Sequence, residues 1–390
     1  MRLLLSGNEA AALAAKLARV RVIAAYPITP QTAVVEKLSE YIADGELDAE
    51  MIRVESEHSA LSACIGAAAA GVRSFTATSS QGLMLMSEIL FVASGMRVPL
   101  VMANVNRSLS APLSIWCDQQ DSMAVRDCGW IQLYCENNQE ILDFLLQAFK
   151  IAERTLLPVM VCYDGYILSH MAEVVEVPEQ AHVDEFLPPY SYPYQLDPSK
   201  PLTLGPVGVP EFYEEIRFTH HEALLKAEEE IGSVMKQFAQ RFGRQYSPVE
   251  GYRLEDAEVV FVSMGSLCGT IREVVNALRM AGEKVGLVKV TLYRPFPGEK
   301  LKRMLAGKKI VAVLEKDISA GATGALYSDL ATCFVGEKSP YMLNFICGLG
   351  GRDVTKEDLR EAVKISLRAA EEKSEKRVMW LGLREAVVGV

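Results

Sequence analysis

Apolar runs alternate with helical patterns along two stretches of the chain. In the first stretch the strand-like runs are Val20–Ala25, Val72–Ala77, Val98–Val105 and Val159–Tyr163. The helical pattern Gln139–Arg154 separates the last two of them. The second stretch repeats the alternation, with runs at Val259–Met264, Val285–Leu292, Ile310–Leu314 and Met342–Ile346. Strands that alternate with helices in this way form parallel sheets. The pattern therefore predicts two successive α/β domains.

A Pro-rich segment from Pro178 to Pro210 separates the two stretches. It carries eight of the 17 prolines together with Tyr190, Tyr192 and Tyr194. Proline disfavours both helix interiors and central strands, so the segment is predicted to be neither. We interpret it as an extended arm laid over the domain or over a partner, with a flexible linker as the alternative. A charged helix from about His220 to Phe242 is predicted to follow.

The chain ends in an apolar segment, Val378-Met379-Trp380-Leu381-Gly382-Leu383, that follows a charged helical pattern. Such a segment is too apolar for a free end. We expect this tail to dock on a neighbouring subunit.

Composition and charge limit the classes of function. Half of the 390 residues are apolar and 23% are charged, which is typical of a compact protein of two or three domains. The net charge of −10 argues against a nucleic-acid surface. No apolar run is long enough for a bilayer and no secretory signal pattern is present, so we expect no membrane association and a cytoplasmic location.

The eight cysteines show no closely spaced Cys-x-x-Cys pattern. Iron–sulfur and zinc sites use such spacing, so this chain is predicted to hold neither kind of site. Free thiols inside apolar segments fit a reducing compartment without disulfides.

The segment Tyr26-Pro27-Ile28-Thr29-Pro30 follows the first apolar run and delivers a hydroxyl on a stiff loop. Two prolines fix φ on either side of Thr29, so its side chain is held in place for a small polar ligand. The alternative is that the prolines merely turn the chain after a strand.

Glu57 lies within Val54-Glu55-Ser56-Glu57-His58-Ser59-Ala60, which opens a segment of small residues from Ala60 to Gly71. In the first turn of that helix the dipole favours an ionised carboxylate, which could hold a ring nitrogen. The alternative is that Ser56 and Glu57 simply cap the helix. His58 points elsewhere as the next residue on a helix, so packing or capping is preferred for it.

Arg107 lies in Asn104-Val105-Asn106-Arg107-Ser108-Leu109-Ser110-Ala111-Pro112, at the C-terminal end of the apolar run Val98 to Ala103. Loops at the carboxyl ends of parallel strands are where α/β proteins bind ligands. The planar guanidinium suits a bidentate grip on a carboxylate. Alternatively, Arg107 is a surface residue or pairs with Asp118 or Asp121.

An ordered set of motifs resembles the alpha subunits of the 2-oxoacid:ferredoxin oxidoreductases, and specifically those of the pyruvate:ferredoxin oxidoreductases. The stretches are Tyr26-Pro27-Ile28-Thr29-Pro30, Glu55-Ser56-Glu57, Thr78-Ser79-Ser80-Gln81-Gly82-Leu83, Asn106-Arg107, Asp118-Gln119-Gln120-Asp121-Ser122, Arg126-Asp127, Phe242-Gly243-Arg244-Gln245-Tyr246, Met264-Gly265-Ser266, Arg294-Pro295-Phe296-Pro297 and Gly348-Leu349-Gly350-Gly351-Arg352-Asp353. Many relatives carry a histidine where this chain has Gln119, so no acid–base role is assigned to that loop.

The resemblance implies a fold and a set of site residues. The fold is α/β, with a thiamine-diphosphate-binding parallel-sheet domain of the pyrimidine type followed by a domain like the C-terminal domain of transketolase. Glu57 would hydrogen-bond the pyrimidine ring nitrogen of thiamine diphosphate, and Pro27 and Ile28 would also contact the cofactor. Arg107 and Thr29 would bind the carboxylate of pyruvate.

The resemblance also implies partners. The family's magnesium-diphosphate signature, a Gly-Asp-Gly segment followed by an Asn pair, is missing from this chain. The diphosphate and Mg²⁺ would therefore bind a beta subunit, and [4Fe-4S] clusters would lie only in partner subunits. A gamma subunit, a ferredoxin-like delta subunit, coenzyme A and ferredoxin complete the expected set of partners.

The expected domain boundaries follow from both the pattern and the resemblance. A pyrimidine-binding domain is expected at 1–245, including a Pro-rich arm at 178–215. A transketolase C-terminal-like domain is expected at 250–372, and a docking tail at 373–390.

Three alternatives stay open at this point. The same chemistry could act on 2-oxoisovalerate, 2-oxoglutarate or oxalate. The chain could be a non-catalytic scaffold. It could instead bind a nucleotide at Gly265-Ser266-Leu267-Cys268-Gly269-Thr270, where glycine and a helix start favour anions, although the full dinucleotide fingerprint is missing.

Overall fold

The computed structural model describes residues 1–389 and contains 15 strands and 14 α-helices within them. The strands are β1 (Arg2–Ser6), β2 (Val22–Ala24), β3 (Glu50–Ile52), β4 (Ser74–Thr78), β5 (Val101–Asn106), β6 (Ile131–Tyr134), β7 (Val159–Asp164), β8 (Ala172–Glu176), β9 (Val249–Tyr252), β10 (Val259–Ser263), β11 (Val285–Val290), β12 (Leu292–Arg294), β13 (Ile310–Glu315), β14 (Tyr341–Ile346) and β15 (Val378–Trp380). The helices are α1 (Gly7–Leu17), α2 (Thr32–Ala43), α3 (Glu57–Ala69), α4 (Ser80–Leu85), α5 (Ser87–Gly95), α6 (Gln120–Ala124), α7 (Asn138–Thr155), α8 (Gln180–Phe186), α9 (Pro210–Phe242), α10 (Leu267–Met280), α11 (Gly298–Leu305), α12 (Ala325–Thr332), α13 (Lys356–Glu371) and α14 (Glu385–Val388).

The first domain is built on a seven-stranded sheet in the order β12-β6-β7-β5-β4-β2-β3. Every pairing in it is parallel except that of β12 with β6. The central strands β5 and β7 are buried along their whole length, as expected for parallel strands covered on both faces. Helices α1 and α7 pack together on one side of this sheet, and α3 packs on β4. A small ribbon of β1 and β8 completes the domain.

The second domain contains a six-stranded sheet in the order β15-β14-β13-β10-β11-β9. Only β9 runs antiparallel to its neighbour. Both predicted parallel α/β domains are thus present in the fold. One apolar cluster runs without interruption between them, with members such as Met102 in the first sheet and Val260 in the second.

The predicted strand Val285–Leu292 is wrong at its C-terminal end. The strand of the second sheet ends at Val290, and Leu292–Arg294 forms β12 at the edge of the first sheet. Thr291 lies between them, and its N–H donates to the carbonyl of Pro248 (3.0 Å). The run is continuously apolar because both of its parts are buried, although each part belongs to a different sheet.

Buried ion pairs also join the two domains. Lys289 of β11 lies 2.8 Å from Glu136 and also pairs with Glu140, at the start of α7. Lys316, after β13, lies 2.9 Å from Asp164 at the end of β7. Removing one partner of such a pair leaves an uncompensated buried charge, which is strongly destabilising. The pairs therefore fix how the second domain sits on the first.

The prediction that the Pro-rich segment holds no helix is wrong at two places. Helix α8 forms within it, and the charged helix begins at Pro210 rather than near His220. Proline is well tolerated in the first turn of a helix, where its missing N–H would have no partner. Between these helices the chain forms turns and irregular backbone and contacts the first domain, where Leu196 donates its N–H to Ala69 (2.9 Å) and Tyr192 is buried.

The tail begins as part of the second domain. Val378–Trp380 adds β15 to the sheet, parallel to β14. Trp380 still exposes 47% of its surface, and Val387 is exposed as well. Docking of this surface on a partner subunit stays a prediction.

None of the helices in residues 1–389 is both long and apolar enough to cross a membrane.

Candidate active site

The loops that carry the predicted site residues leave the first sheet at one edge. The Thr29 loop follows β2, Ser79 and Ser80 follow β4, and Arg107 follows β5. These three strands are parallel, so their carboxyl ends meet at the same edge. The structure therefore gathers the loops that the sequence singled out.

Glu57 begins α3, as predicted, but it does not cap the helix. The N-cap is Ser56, whose hydroxyl accepts the N–H of Ser59 (3.2 Å). The Glu57 side chain turns instead toward α4. A Cβ built on Gly82 would lie 2.7 Å from Oε1 of Glu57 and 2.5 Å from the hydroxyl of Thr78. Only glycine allows this close approach.

Glu57 is 7% exposed, and its carboxylate accepts no hydrogen bond from any residue between 1 and 389. The neighbouring Thr78 and Ser79 hydroxyls are fully buried and also lack partners in the described chain. Buried polar groups normally find a partner. A carboxylate beside unpaired hydroxyls suits a ligand that carries several nitrogen donors and acceptors, such as an aminopyrimidine.

Arg107 is 6% exposed, and two backbone carbonyls orient its guanidinium. Nε donates to Ser114 (2.9 Å) and Nη1 donates to Thr29 (2.9 Å). Three of its five N–H groups stay without a protein partner in the described residues, and no carboxylate there lies within salt-bridge distance. Burial lowers the pKa of Arg107 below its ordinary value. The site therefore presents a buried cation that calls for an external anion.

The suggestion that Arg107 pairs with Asp118 or Asp121 is not what the structure shows. The carboxylate of Asp121 accepts the backbone N–H of Arg107 (3.1 Å), and the guanidinium points away to the Thr29 loop. Asp118 accepts the N–H groups of Gln120 and Gly350 instead.

Thr29 lies beside Arg107, and its side chain is exposed. Its carbonyl, rather than its hydroxyl, makes the contact with the guanidinium. Buried Gln31 fixes this loop, because its side chain donates to Ala77 (3.0 Å) and accepts the N–H of Ile28 (3.3 Å). Pro27 is exposed and Ile28 is half-buried, so both can reach a ligand at this edge.

His58 lies outside this arrangement. Its side chain is 42% exposed, and its Nε2 lies 3.8 Å from Glu88. Its orientation agrees with the expectation that the neighbour of Glu57 on the helix points elsewhere.

The second domain closes over the loop that orients Arg107. Gly351 donates its N–H to Cys117 (2.7 Å), and Gly350 donates to Asp118 (3.1 Å). A Cβ on Gly351 would lie 2.4 Å from the Cβ of Trp116. The segment from Trp116 to Asp118, which follows Ser114, is thus bound by the second domain.

Sequence reasoning considered Asp121 only as a possible partner of Arg107 and as part of a loop near the site, and it missed the hydrogen bonds that this residue makes. This residue is wholly buried, and burial raises its pKa to about 6 while four N–H donors oppose the rise. One of those donors is the N–H of Ser80 (3.0 Å) and another is that of Arg107. The only signal was its place in the segment Asp118-Gln119-Gln120-Asp121-Ser122, which the resemblance already contained.

The glycine turn at Gly265 and Ser266 already binds an anion from within the chain. The N–H of Ser266 donates to the carboxylate of Asp164 (3.3 Å), and its hydroxyl donates to the same oxygen. Lys316 neutralises that carboxylate. The nucleotide alternative proposed for this turn therefore loses its site.

Two family descriptions match the chain. Residues 13–237 match pyruvate flavodoxin/ferredoxin oxidoreductase, thiamine diphosphate-binding. Residues 257–359 match pyruvate:ferredoxin oxidoreductase core domain II.

Curated relatives align along the whole chain. Pyruvate synthase subunit PorA of Pyrococcus furiosus is 52% identical, and the alignment covers 100% of this chain and 99% of the relative. Ketoisovalerate oxidoreductase subunit VorA of Pyrococcus horikoshii is 48% identical, with 97% of each chain covered.

Solved structures share the fold. A 2-oxoglutarate:ferredoxin oxidoreductase from Magnetococcus marinus superimposes with a TM-score of 0.71 at 24% identity, over 93% of this chain and 65% of that one. A split-gene transketolase superimposes with a TM-score of 0.54 at 13% identity, over 95% and 98% of the two chains. The first match shares the expected α/β architecture, and the second supports the transketolase-like assignment. With both families matched in order and full-length relatives at about half identity, this chain belongs to the thiamine diphosphate-binding pyruvate flavodoxin/ferredoxin oxidoreductase family.

Proposed function

We propose that this chain is the alpha subunit of a pyruvate:ferredoxin oxidoreductase. With its partner subunits it oxidatively decarboxylates pyruvate to acetyl-coenzyme A and CO₂ and passes the electrons to ferredoxin. The observation that carries the proposal is the buried Arg107 guanidinium, which has no anionic partner within the described residues and lies at the same sheet edge as Glu57. A cation and a carboxylate so arranged suit a 2-oxoacid and a cofactor ring, respectively.

Glu57 is proposed to bind the aminopyrimidine of thiamine diphosphate. The bound cofactor supplies a carbon nucleophile for attack on the keto group. The carboxyl group of Glu57 holds a proton at the pyrimidine ring nitrogen, and the nearby Thr78 hydroxyl has unused hydrogen-bonding capacity for the same ring. Pro27 and Ile28 are proposed to contact the cofactor from the β2 loop.

Arg107 and Thr29 are proposed to bind the carboxylate of the substrate. The two carbonyls that hold Nε and Nη1 leave the remaining N–H groups of Arg107 in a fixed direction. Thr29 is exposed and contacts the guanidinium through its carbonyl, so its hydroxyl is proposed to reach the same carboxylate. A substrate held in this way needs less reorganisation to reach the transition state.

Pyruvate is preferred over the other 2-oxoacids. The pyruvate synthase subunits are 50–52% identical to this chain, and the ketoisovalerate oxidoreductase subunits are 47–48% identical. Within the described residues, Arg107 is the site cation without an acidic partner, which suits a substrate with one carboxylate better than 2-oxoglutarate or oxalate.

Partner subunits are proposed to complete the active site. A beta subunit would bind the diphosphate and Mg²⁺ and carry [4Fe-4S] clusters, and a gamma subunit and a ferredoxin-like delta subunit would join the complex. Exposed apolar side chains at the start of α9, including Phe212, Tyr213 and Phe218, support such assembly. The eight cysteines are free thiols, which fits the proposed cytoplasmic location.

Anaerobic purification of the chain with its natural partners tests this function. We expect reduction of a viologen dye that requires pyruvate, coenzyme A and thiamine diphosphate together. A complex with a higher kcat/KM for 2-oxoisovalerate than for pyruvate would overturn the substrate and keep the mechanism. Purification of the chain without any partner subunit, together with no binding of thiamine diphosphate, would overturn the whole proposal.

Gly82→Ala is expected to weaken cofactor binding at least about tenfold, since the new methyl group would overlap Glu57 and Thr78. The measurement is the Kd of thiamine diphosphate for the assembled complex by calorimetry. Gly66→Ala is the matched control, because a Cβ at Gly66 in the neighbouring helix α3 meets nothing within 4 Å. Equal Kd values for the two variants would show that the approach of Glu57 to Gly82 is unimportant.

A further inference from the structure

Asp121, in α6, binds both loops of the candidate site through one carboxylate. Its Oδ2 accepts the backbone N–H of Ser80 (3.0 Å) and that of Arg107 (3.1 Å). Its Oδ1 accepts the side-chain amide of Asn106 (2.7 Å) and the N–H of Ser122 (2.8 Å). The residue is wholly buried, so water does not compete for these bonds.

Ser80 needs such support because its backbone is strained. Its φ of 50° lies in the left-handed region, which is unfavourable for residues other than glycine. Ser80 starts the helix that presents Gly82 to Glu57. Its hydroxyl also donates to the carbonyl of Ser108, directly after Arg107. The turn beside Glu57 and the loop of Arg107 therefore form one connected unit.

We propose that Asp121 is a positioning residue that sets the spacing between the Glu57 side and the Arg107 side of the active site. This inference rests on the proposed function of those two residues. Asp121 itself touches neither substrate nor cofactor in this arrangement. It acts through the backbone of Ser80 and of Arg107.

A carboxylate suits this role better than an amide. Each oxygen of Asp121 accepts at least two N–H groups. In asparagine one of the two positions becomes an NH₂ group, which has no acceptor capacity. Asp121→Asn would thus set an NH₂ group against two N–H donors. At the Oδ2 position this loosens both loops, and at the Oδ1 position it loosens the Arg107 loop through the preceding residue, Asn106.

A double-mutant cycle between Asp121→Asn and Arg107→Ala tests the inference in the assembled enzyme. We expect Asp121→Asn to raise the KM for pyruvate about tenfold when Arg107 is present and less than about threefold when Arg107 is absent. Calorimetry on the same complexes is expected to show a higher Kd of thiamine diphosphate in the Asp121→Asn variant. Asp143→Asn is the matched control, because Asp143 is equally buried but binds Arg244 and Tyr246 away from the site. The control is expected to leave the KM unchanged.

The outcomes separate the two proposals. An unchanged KM in Arg107→Ala would contradict the proposed function itself. The second outcome is a raised KM in Arg107→Ala together with an Asp121→Asn effect on KM that is equally large with and without Arg107. It would overturn only the positioning role. If Asp121→Asn does not assemble, the cycle is run with Ser80→Gly in every variant, since glycine adopts the left-handed φ without strain. The changes in KM that Asp121→Asn causes with and without Arg107 then decide the result.

Discussion

Replacing Glu57 by glutamine is expected to lower kcat of the assembled enzyme by about 100-fold or more, the usual contribution of a positioned acid–base group. Glutamine keeps the size of the side chain and loses the exchangeable proton of the carboxyl group. Since the Glu57 carboxylate makes no hydrogen bond within the described residues, the change should leave folding and assembly intact. Steady-state kinetics at saturating thiamine diphosphate measure the loss.

Glu153→Gln provides the control for that experiment. Glu153 is a largely buried carboxylate that pairs with Arg73 on the far side of the first domain. Its replacement should cost stability and leave kcat as it is. Near-normal turnover in Glu57→Gln would remove Glu57 from the mechanism.

Arg107→Ala is expected to remove about 2–5 kcal/mol of binding to the substrate carboxylate, the usual loss when one partner of a buried charge pair is deleted. The loss should appear as a raised KM for pyruvate, since ground state and transition state share this contact. Arg107→Lys should recover only part of it, because lysine keeps the charge and lacks the planar fork. Initial rates over a wide range of pyruvate concentrations measure both effects.

Arg97→Ala is the matched control for Arg107→Ala. Arg97 is half-buried and, like Arg107, donates to two backbone carbonyls, those of Thr155 and Leu156. It lies at the start of the strand region, away from the carboxyl edge of the sheet. A KM that rises equally in both variants would sink the carboxylate assignment and point to a general loss of structure.

The sequence predicted the fold well where one feature decides the structure. Buried parallel strands such as β5 and β7 are continuous apolar runs, and alternation with helices leaves few other arrangements. The run Val285–Leu292 shows the limit of this reasoning. Two different sheets bury its two parts, and an apolar run does not reveal which sheet covers it.

The candidate site was predictable in part, for a related reason. Glu57 and Arg107 follow from their places at a helix start and at a strand end, which are local features. The contribution of Gln31 and Asp121 depends on bonds to residues far away in the sequence, such as Ala77 and Ser80. Local spacing carries no trace of those bonds, so the residues that hold the site in shape emerged only from the fold.

The Asp164 carboxylate in the turn at Gly265 has a consequence for competition between ligands. A tethered anion faces its site at an effective concentration of about millimolar or higher, even before rigidity is counted. Lys316 pairs with the same carboxylate, so an external anion that binds the turn would also have to break this ion pair. Free phosphate esters must outcompete this internal anion to enter, so the turn joins the two domains and disfavours binding of weak external anions.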